Sequence, residues 1–510
     1  MGPALLTGSL LATPALFADG HGNRLLEEVH VTASAVAGLR LDQPTEGASR
    51  LGLSAMELPA SVFILDGDLI RRWGDATLNE AISRATGVSI SASPGNGGSA
   101  IAARGFSGHG SVMQLYNGSR LYVGSGTLSF PFDPWSVERV EVLQGPASVL
   151  YGEGAIGGAV NVVSKQPSDH ASSEGRVAFG SDATRRLAFG ATGPVTSGLA
   201  YRFDISHNQS DGWVDDGHSK SLAVSGALRW QATENLTFRL AIDDARQEPM
   251  RYFGVPLRNG QFLPGLQEAN FNVADAHIDY QDRWVRASAD WQPATALAVS
   301  NEIYWLTSDR HWRNAESYRF VADDLVRRTD FLEILHDQEQ IGNRFQFKLA
   351  HQLFGLANEA VVGFDVNRVR FTHGNNAPYS EDPLAPSLLN PLAPTPGRFI
   401  NLDGTADKFR TETRQWSLFF EDRLRLSDRL TLVAGARYDE AQFERFDLVS
   451  PQHDIDKRFY MTNWRTGLIY NLSDDLVVYG QYATGSDPLG SLITTSASQI
   501  DFDLSDGKQW

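Results

Sequence analysis

The 510-residue chain contains no cysteine. That excludes a disulfide framework and any thiolate metal site. It suits an oxidising compartment without selecting one. Beyond the N-terminus there is no run of 18 apolar residues, so no transmembrane helix is available. Strands remain possible, because a spanning barrel alternates lipid-facing and lumen-facing residues and keeps its mean hydropathy low. Basic residues are also short: 44 Lys and Arg stand against 61 Asp and Glu, a net charge of −17. No Lys/Arg cluster supplies the footprint a nucleic-acid binder needs.

Catalytic signatures are missing as well. The twelve histidines are scattered, without an H-x-x-x-H or H-E-x-x-H pair. No G-x-S-x-G elbow and no GK[ST] phosphate loop occurs. His207 and Asp204 share one strand, but a spacing of three puts them on opposite faces. Nothing activates a nucleophile, so the chain is not expected to be an enzyme.

What is present is a period of two. From about residue 174, Tyr201, Phe203 and Ile205 alternate with Arg202, Asp204 and Ser206. Val285, Ala287, Ala289 and Trp291 alternate with Arg286, Ser288 and Asp290. Trp416, Leu418 and Phe420 alternate with Gln415, Ser417 and Glu421. Strands with one apolar and one polar face are what a wall between lipid and lumen requires. Short turn signals at GPVTSG, ATEN, QPATA, GLANE, LSD and LSDD alternate mostly with longer links at 206–219, 248–276, 314–330, 373–408 and 446–457. Short turns on one rim and long loops on the other distinguish a barrel from a soluble sandwich. About thirteen strands precede Asp487, and LSDGKQW at the end reads as the start of another.

The first 18 residues have an apolar centre and small residues near Ala18, as a signal peptide would, although the usual positive start is missing. An apolar tail is the other reading. EEVHVTA, residues 27–33, suits an extended segment that adds to another protein's sheet edge. Residues 34–55 are rich in Ala, Gly, Ser and Thr, a flexible connection. A compact α+β domain is expected over 57–167. SVFIL at Ser61 opens it, and a helix follows with Thr77 and Glu80 as a capping box. Leu78, Ala81, Ile82 and Ala85 form the apolar face of that helix, and Gly87 ends it. Short strands follow at Val88, Ile101, Met113, Val137 and Ala159. Gly152, Gly154 and Gly157 satisfy G-x-G-x-x-G, yet the β-branched run after Ala159 offers no helix N-terminus to a pyrophosphate. These glycines are read as structural.

The stretch VERVEVLQGPASVLYGEGAIGGAVNVVSK, 137–165, resembles the plug of TonB-dependent outer-membrane receptors. ELPASV at Glu57, DATLNEAISRATGVS at Asp75, ARGF at Ala103 and LYNG at Leu115 support the resemblance in order. It implies an α+β plug inside a transmembrane antiparallel β-barrel of 22 strands, of which 174–510 supplies about thirteen. The remaining strands are expected to be missing as a C-terminal truncation. It implies active uptake of ferric siderophores across the bacterial outer membrane, the protein being a monomer in lipid. The iron stays inside its chelate, so no cofactor or protein metal ligand is expected. TonB would pair with Glu28, Val29, His30, Val31, Thr32 and Ala33. Arg104, Glu138 and Glu141 would seat the plug in the wall, while Gln144 departs from the usual Lys or Arg. Ligand contacts are expected from the plug loops 93–99, 107–114 and 122–132, with His109, Gly110, Ser111, Gln114 and Tyr122. Tyr252, Phe253, Trp312 and Tyr318 would join them from the wall. Cobalamin, haem or an oligosaccharide remain alternative cargoes, and a passive channel, adhesin or non-transporting receptor remains a second class.

Overall fold

The computed structural model describes residues 6–8, 41–93, 98–107, 110–124, 126–381, 384–487, 492–496 and 503–510. The signal-like segment, except the backbone of Leu6–Gly8, lies outside them, as do residues 27–33 and His109.

A short strand β1 (Leu6–Gly8) comes first. The N-terminal domain then holds β2 (Ser61–Asp66), β3 (Val88–Ser93), β4 (Gly98–Ala103), β5 (Val112–Tyr116), β6 (Ser119–Leu121), β7 (Val137–Gln144) and β8 (Gly158–Ser164). Its helices are α1 (Gly67–Trp73), α2 (Leu78–Ile82) and α3 (Ser148–Tyr151). Five strands make one mixed sheet in the order β2-β7-β8-β5-β6, with β5 parallel to β8, and β3 and β4 form a separate hairpin. The strands expected at Val88, Ile101, Met113, Val137 and Ala159 are all present. Asp66 caps α1 by accepting the Asp68 amide at 2.8 Å, a helix without a signal in the periodicity. In α2, Thr77 accepts the Glu80 amide at 3.3 Å, but the Glu80 carboxylate takes the Ala76 amide instead of completing the expected box. That helix closes at Ser83, and Gly87 (φ 73°) instead turns the chain into β3.

The wall follows as β9 (Ser172–Phe179), β10 (Arg185–Thr196), β11 (Leu199–Ser210), β12 (Ser219–Thr233), β13 (Leu236–Glu248), β14 (His277–Ala294), β15 (Leu297–Ala322), β16 (Leu325–Leu353) and β17 (Leu356–Asn375). After the two-residue β18 (Leu388–Leu389) come β19 (Ala406–Arg425), β20 (Leu430–Asp447), β21 (Ile455–Ser473), β22 (Leu476–Asp487) and β23 (Ser505–Gln509). Neighbours in sequence pair antiparallel from β9 to β23, with β18 alongside β16 and β1 on the edge of β9. Among the described residues the sheet has 16 strands, fewer than a 22-stranded barrel. Thirteen long strands precede the β22–β23 link, as the alternation implied.

All six short turns fall between consecutive wall strands. The long link expected at 314–330 does not exist. β15 and β16 run on for 26 and 29 residues and are joined only at Asp323 and Asp324. Nine to eleven tilted residues cross a bilayer, so this hairpin stands well beyond it. The sequence keeps alternating there, and its polar residues were mistaken for a loop. The extended hairpin is covered by its neighbours: Phe331 packs with Phe399, Val273 and Ala385, and Val326 with Leu389, Leu266 and Phe271.

Polarity of the wall follows the alternation. Trp416, Leu418 and Phe420 are exposed on the outer face, while Gln415, Ser417 and Glu421 are buried on the inner face. There Gln415 and Glu421 bond Glu153 and Ser49 of the N-terminal region. Arg202, Asp204 and Ser206 are likewise buried, with Phe203 outside. The domain fills the concave side of the sheet. It bonds to β10 through the Trp135 indole and the Phe189 carbonyl (3.1 Å), and to β11 through Asp133 and Asn208 (2.9 Å). It meets β13 through Ser129 and Gln247 (2.5 Å), and β20 through the Leu150 carbonyl and Arg437 (3.2 Å). At β22 the Gly154 amide reaches the Ser486 carbonyl (2.7 Å).

Candidate functional site

Two zones join the inner domain to the wall. The lower one lies toward the short-turn rim and is built on residues 45–52, an irregular strap that precedes the domain's first strand. Its backbone is gripped by two buried carboxylates. Glu141 on β7 accepts the amides of Glu46 (3.0 Å) and Gly47 (2.6 Å). Glu421 on β19 accepts the amide of Arg50 (2.7 Å) and the hydroxyl of Ser49 (3.1 Å), and it also pairs with Arg465. Lys348 donates to the Leu51 carbonyl at 2.7 Å, and the Tyr151 hydroxyl to that of Glu46 at 3.1 Å. Such charge-assisted bonds are the stronger kind, and burial shields them from salt.

The upper zone lies toward the long loops. Tyr122 is clamped there: its carbonyl accepts from Gln338 (2.8 Å), its hydroxyl bonds Gln415, and the Arg120 guanidinium stacks on its ring at 4.0 Å. Arg120 in turn pairs with buried Glu153 at 2.6 Å, which also accepts from Gln415 at 2.9 Å. The Tyr122 hydroxyl is held far above its usual pKa because burial disfavours the phenolate. Residues Leu492–Thr494 fold inward over it, with Ile493 packed on Tyr122, Val369 and Phe371.

Above this clamp a chain of rings crosses successive wall strands. Tyr280 meets Trp312 edge-on (6.4 Å), Trp312 meets His336 (4.9 Å), and His336 meets Phe371 (4.8 Å). His373 lies 5.0 Å from both His336 and Phe409. One tautomer set satisfies the histidines. His336 Nδ1–H donates to the Gly126 carbonyl (3.3 Å), and its Nε2 accepts from His373 Nδ1–H (2.8 Å). The Asn375 amide then donates to His373 Nε2 (2.9 Å) and also to the Tyr379 hydroxyl (2.9 Å). Arg310 over Tyr280 (4.1 Å) and Arg445 over Phe409 (4.6 Å) add cations to the arc. Tyr280, Trp312, His336 and Phe371 are buried in these contacts. The half-buried His373 and Phe409 are the rings of the arc that can offer a face to an organic ligand shell.

The residues singled out from sequence distribute unevenly. Tyr122 and Trp312 belong to the upper zone, and the Trp312 indole donates to Glu316 at 3.0 Å. Gly110, Ser111 and Gln114 lie at the start of β5, where the Ser111 hydroxyl meets the Ser107 carbonyl at 3.3 Å. Tyr252 packs edge-on against Trp213 (5.2 Å), with Phe253 beside it in the chain. Tyr318 stands on the extended hairpin and donates to the Ala315 carbonyl at 2.6 Å. These do not converge on one cavity.

The seating pattern differs more. Arg104 sits exposed in a turn at φ 52°, and no ion pair with a wall carboxylate joins it among the described residues. Glu138 is exposed too. Glu141 is buried, but its partners are Arg139, Asn161 and the strap, all within the inner domain. Wall pairing runs instead through Lys165 with Glu174 (2.5 Å), Glu57 with Arg423 (2.6 Å), and the Leu150 carbonyl with Arg437. His336, Phe371, His373 and Phe409 were missed. Their signal is aromatic residues at positions whose parity faces the lumen, where polar side chains are the rule.

Comparison with known proteins agrees with this architecture. The family model described as TonB-dependent Receptor Plug Domain matches residues 54–159, and TonB dependent receptor-like, beta-barrel matches 242–507. A ferrioxamine receptor of Yersinia enterocolitica is 29% identical over 500 residues, covering 91% of this chain and 67% of its own length. The ferrioxamine B receptor of Salmonella typhimurium is 25% identical over 462 residues, covering 87% and 63%. The chain thus spans only about two thirds of the length of these curated relatives. The crystal structure of the siderophore receptor PiuA from Acinetobacter baumannii superposes with a TM-score of 0.82 at 18% identity, covering 92% of this chain and 71% of that one. With the plug and barrel models matched in that order, the second over more than half the sequence, this chain belongs to the TonB-dependent receptors, a non-enzymatic family of the outer membrane.

Proposed function

We propose that this chain serves active, TonB-driven uptake of ferric siderophores. The observation that carries the reading is the clamp on Tyr122. With plug and wall bonded at that height, the plug stands in the path along the concave face of the wall, and moving it aside for a bulky solute needs an energy source. The names of the ferrioxamine relatives support iron chelates over cobalamin, haem or oligosaccharides.

In this reading the chelate enters from the long-loop side. Its contacts are taken in succession along the entry rather than in one cavity: first Tyr252, Phe253 and Tyr318, then Trp312 with the aromatic arc, then the plug loops with His109, Gly110, Ser111 and Gln114. Iron stays within its chelator, so the protein supplies contacts to an organic shell. Occupancy shifts the segment 27–33 toward an exposed state, which requires different ligand affinity for the two states. TonB pairs with Glu28–Ala33 as an added strand, and the pull reaches residues 45–52 next.

Deleting residues 27–33 tests this directly. Energy-dependent uptake of radiolabelled ferric chelate should vanish while chelate binding at the cell surface persists. Uptake that survives the deletion overturns the mechanism.

A further inference from the structure

Between the strap and the wall lies a cavity of about 400 Å³. Thr45, Glu46, Ser49 and Arg50 form one side, and Arg239, Arg286, Ser300 and Arg344 on β13–β16 form the other. Its carboxylates are already engaged. Asp290 pairs with Arg239, and Glu302 is shared by Arg286 (3.4 Å) and Arg344 (2.9 Å). Glu46 turns to Arg139 at 3.2 Å.

Arg50 is different. No carboxylate pairs with its side chain among the described residues. One terminal nitrogen donates to the Leu150 carbonyl at 2.9 Å, and the buried Nε has no partner. Tyr151 lies under its guanidinium at 4.5 Å. Burial, then the neighbouring Arg344, pulls Arg50 below the ordinary arginine pKa. The Asp365 carboxylate acts on Arg50 from beyond ion-pair distance but is bonded to Arg437, and Arg344 and Arg437 oppose it. A guanidinium left with an unbonded buried nitrogen beside a polar cavity is costly, and an oxyanion relieves that cost with fork-shaped hydrogen bonds.

We propose that this cavity binds an oxyanion, inorganic phosphate or the anionic edge of a chelate, with Arg50 as its movable cation. The role in transport rests on the uptake reading above. Arg50 rides on the strap, 17 positions after Ala33, so a pull on the N-terminal segment removes the cation and opens that side of the cavity. The site then loses its attraction for an anion as the exit opens, which favours release over rebinding.

The absence of cysteine gives a clean test. In the purified full chain carrying Ser300→Cys, the thiol faces the cavity. Its labelling rates with an anionic sulfonate and a cationic ammonium methanethiosulfonate are compared, each normalised to free cysteine. The anionic reagent should be favoured, and Arg50→Gln should lower that preference by about fivefold, the size of one nearby charge in a partly screened site. Arg50→Lys should restore most of it. Millimolar inorganic phosphate should slow labelling in the Ser300→Cys chain and not in its Arg50→Gln derivative. No preference for the anionic reagent, a preference indifferent to Arg50→Gln, or an absence of phosphate protection in the unaltered cavity overturns the proposal. These readouts need neither TonB nor a siderophore, so they stand or fall apart from the uptake reading.

Discussion

The carboxylate of Glu421 on the wall strand β19 holds the backbone amide of Arg50 at 2.7 Å, across 371 residues of sequence. The same carboxylate neutralises Arg465, which is itself buried. Glu421→Ala therefore removes one of the strap's wall anchors and strands a buried cation, a loss of about 3–5 kcal/mol where such a pair is broken. Amide exchange over residues 45–52 should accelerate strongly, with that of β5 and β8 little changed. Exchange equal to the parent's would show that Glu421 does not hold the strap.

A second buried arginine organises the long-loop side. Arg328 on β16 is fully buried, and its guanidinium donates to the carbonyls of Phe271 (2.9 Å), Asn272 (3.0 Å) and Pro386 (2.7 Å). It thereby ties two long loops to the extended hairpin. Arg328→Leu leaves three carbonyls without that donor, at about 1–3 kcal/mol each if none finds water. Hydrogen exchange should rise in 266–276 and 384–389, and the short-turn half of the wall should keep its protection. Arg328→Lys should rescue poorly, because one ammonium cannot reach three carbonyls in a fork.

Gly154 takes φ 90°, and a Cβ there would lie 2.6 Å from the Gly110 carbonyl oxygen. Gly154→Ala is expected to destabilise the plug by about 1–3 kcal/mol through strained backbone and displacement of the Gly110 turn. Gly226 on β12 is the control, since an added Cβ there meets nothing within 4 Å. Thermal unfolding of the two variants should separate clearly, and equal midpoints would contradict the close approach.

The aromatic arc predicts a binding phenotype. Phe409→Ala or His373→Ala should weaken ferric-chelate binding about three- to tenfold, in line with about 0.5–1.5 kcal/mol per ring contact. Both variants should retain the wall's thermal transition. Quenching of tryptophan fluorescence by the ferric chelate measures the affinity, and Trp312→Phe should remove a substantial share of the quench. Unchanged affinity in both alanine variants would place the ligand elsewhere.

Much of the fold was legible because a lipid-facing strand leaves a strict trace. The parity of Trp416, Leu418 and Phe420 against Gln415, Ser417 and Glu421 survives intact in the structure. Each short turn marks a real reversal. The hairpin over 314–330 was not legible, since the edge of a membrane changes neither the period nor the residue types of a strand that continues past it. Nor was α1, in which only Gly67 and Ile70 are buried, so that no apolar stripe marks a helical face.

The candidate site was legible in part. Tyr122 and Trp312 were visible as aromatics near loop ends, but His336, Phe371, His373 and Phe409 become neighbours only once the three wall strands β16, β17 and β19 lie side by side.

By itself the sequence determined which face of β11, β14 and β19 turns outward, where the six short turns reverse the chain, and that a glycine-rich α+β domain precedes the wall. Those are local properties, set by side-chain period and turn chemistry. The tertiary structure alone decided which polar groups meet across the plug–wall boundary. Ser49 and Glu421 are 372 residues apart, and only the curvature of the sheet and the rotation of the plug within it bring their atoms together. Arg104 shows the same from the other side: its exposure follows from the turn it occupies, which its neighbours in sequence do not fix.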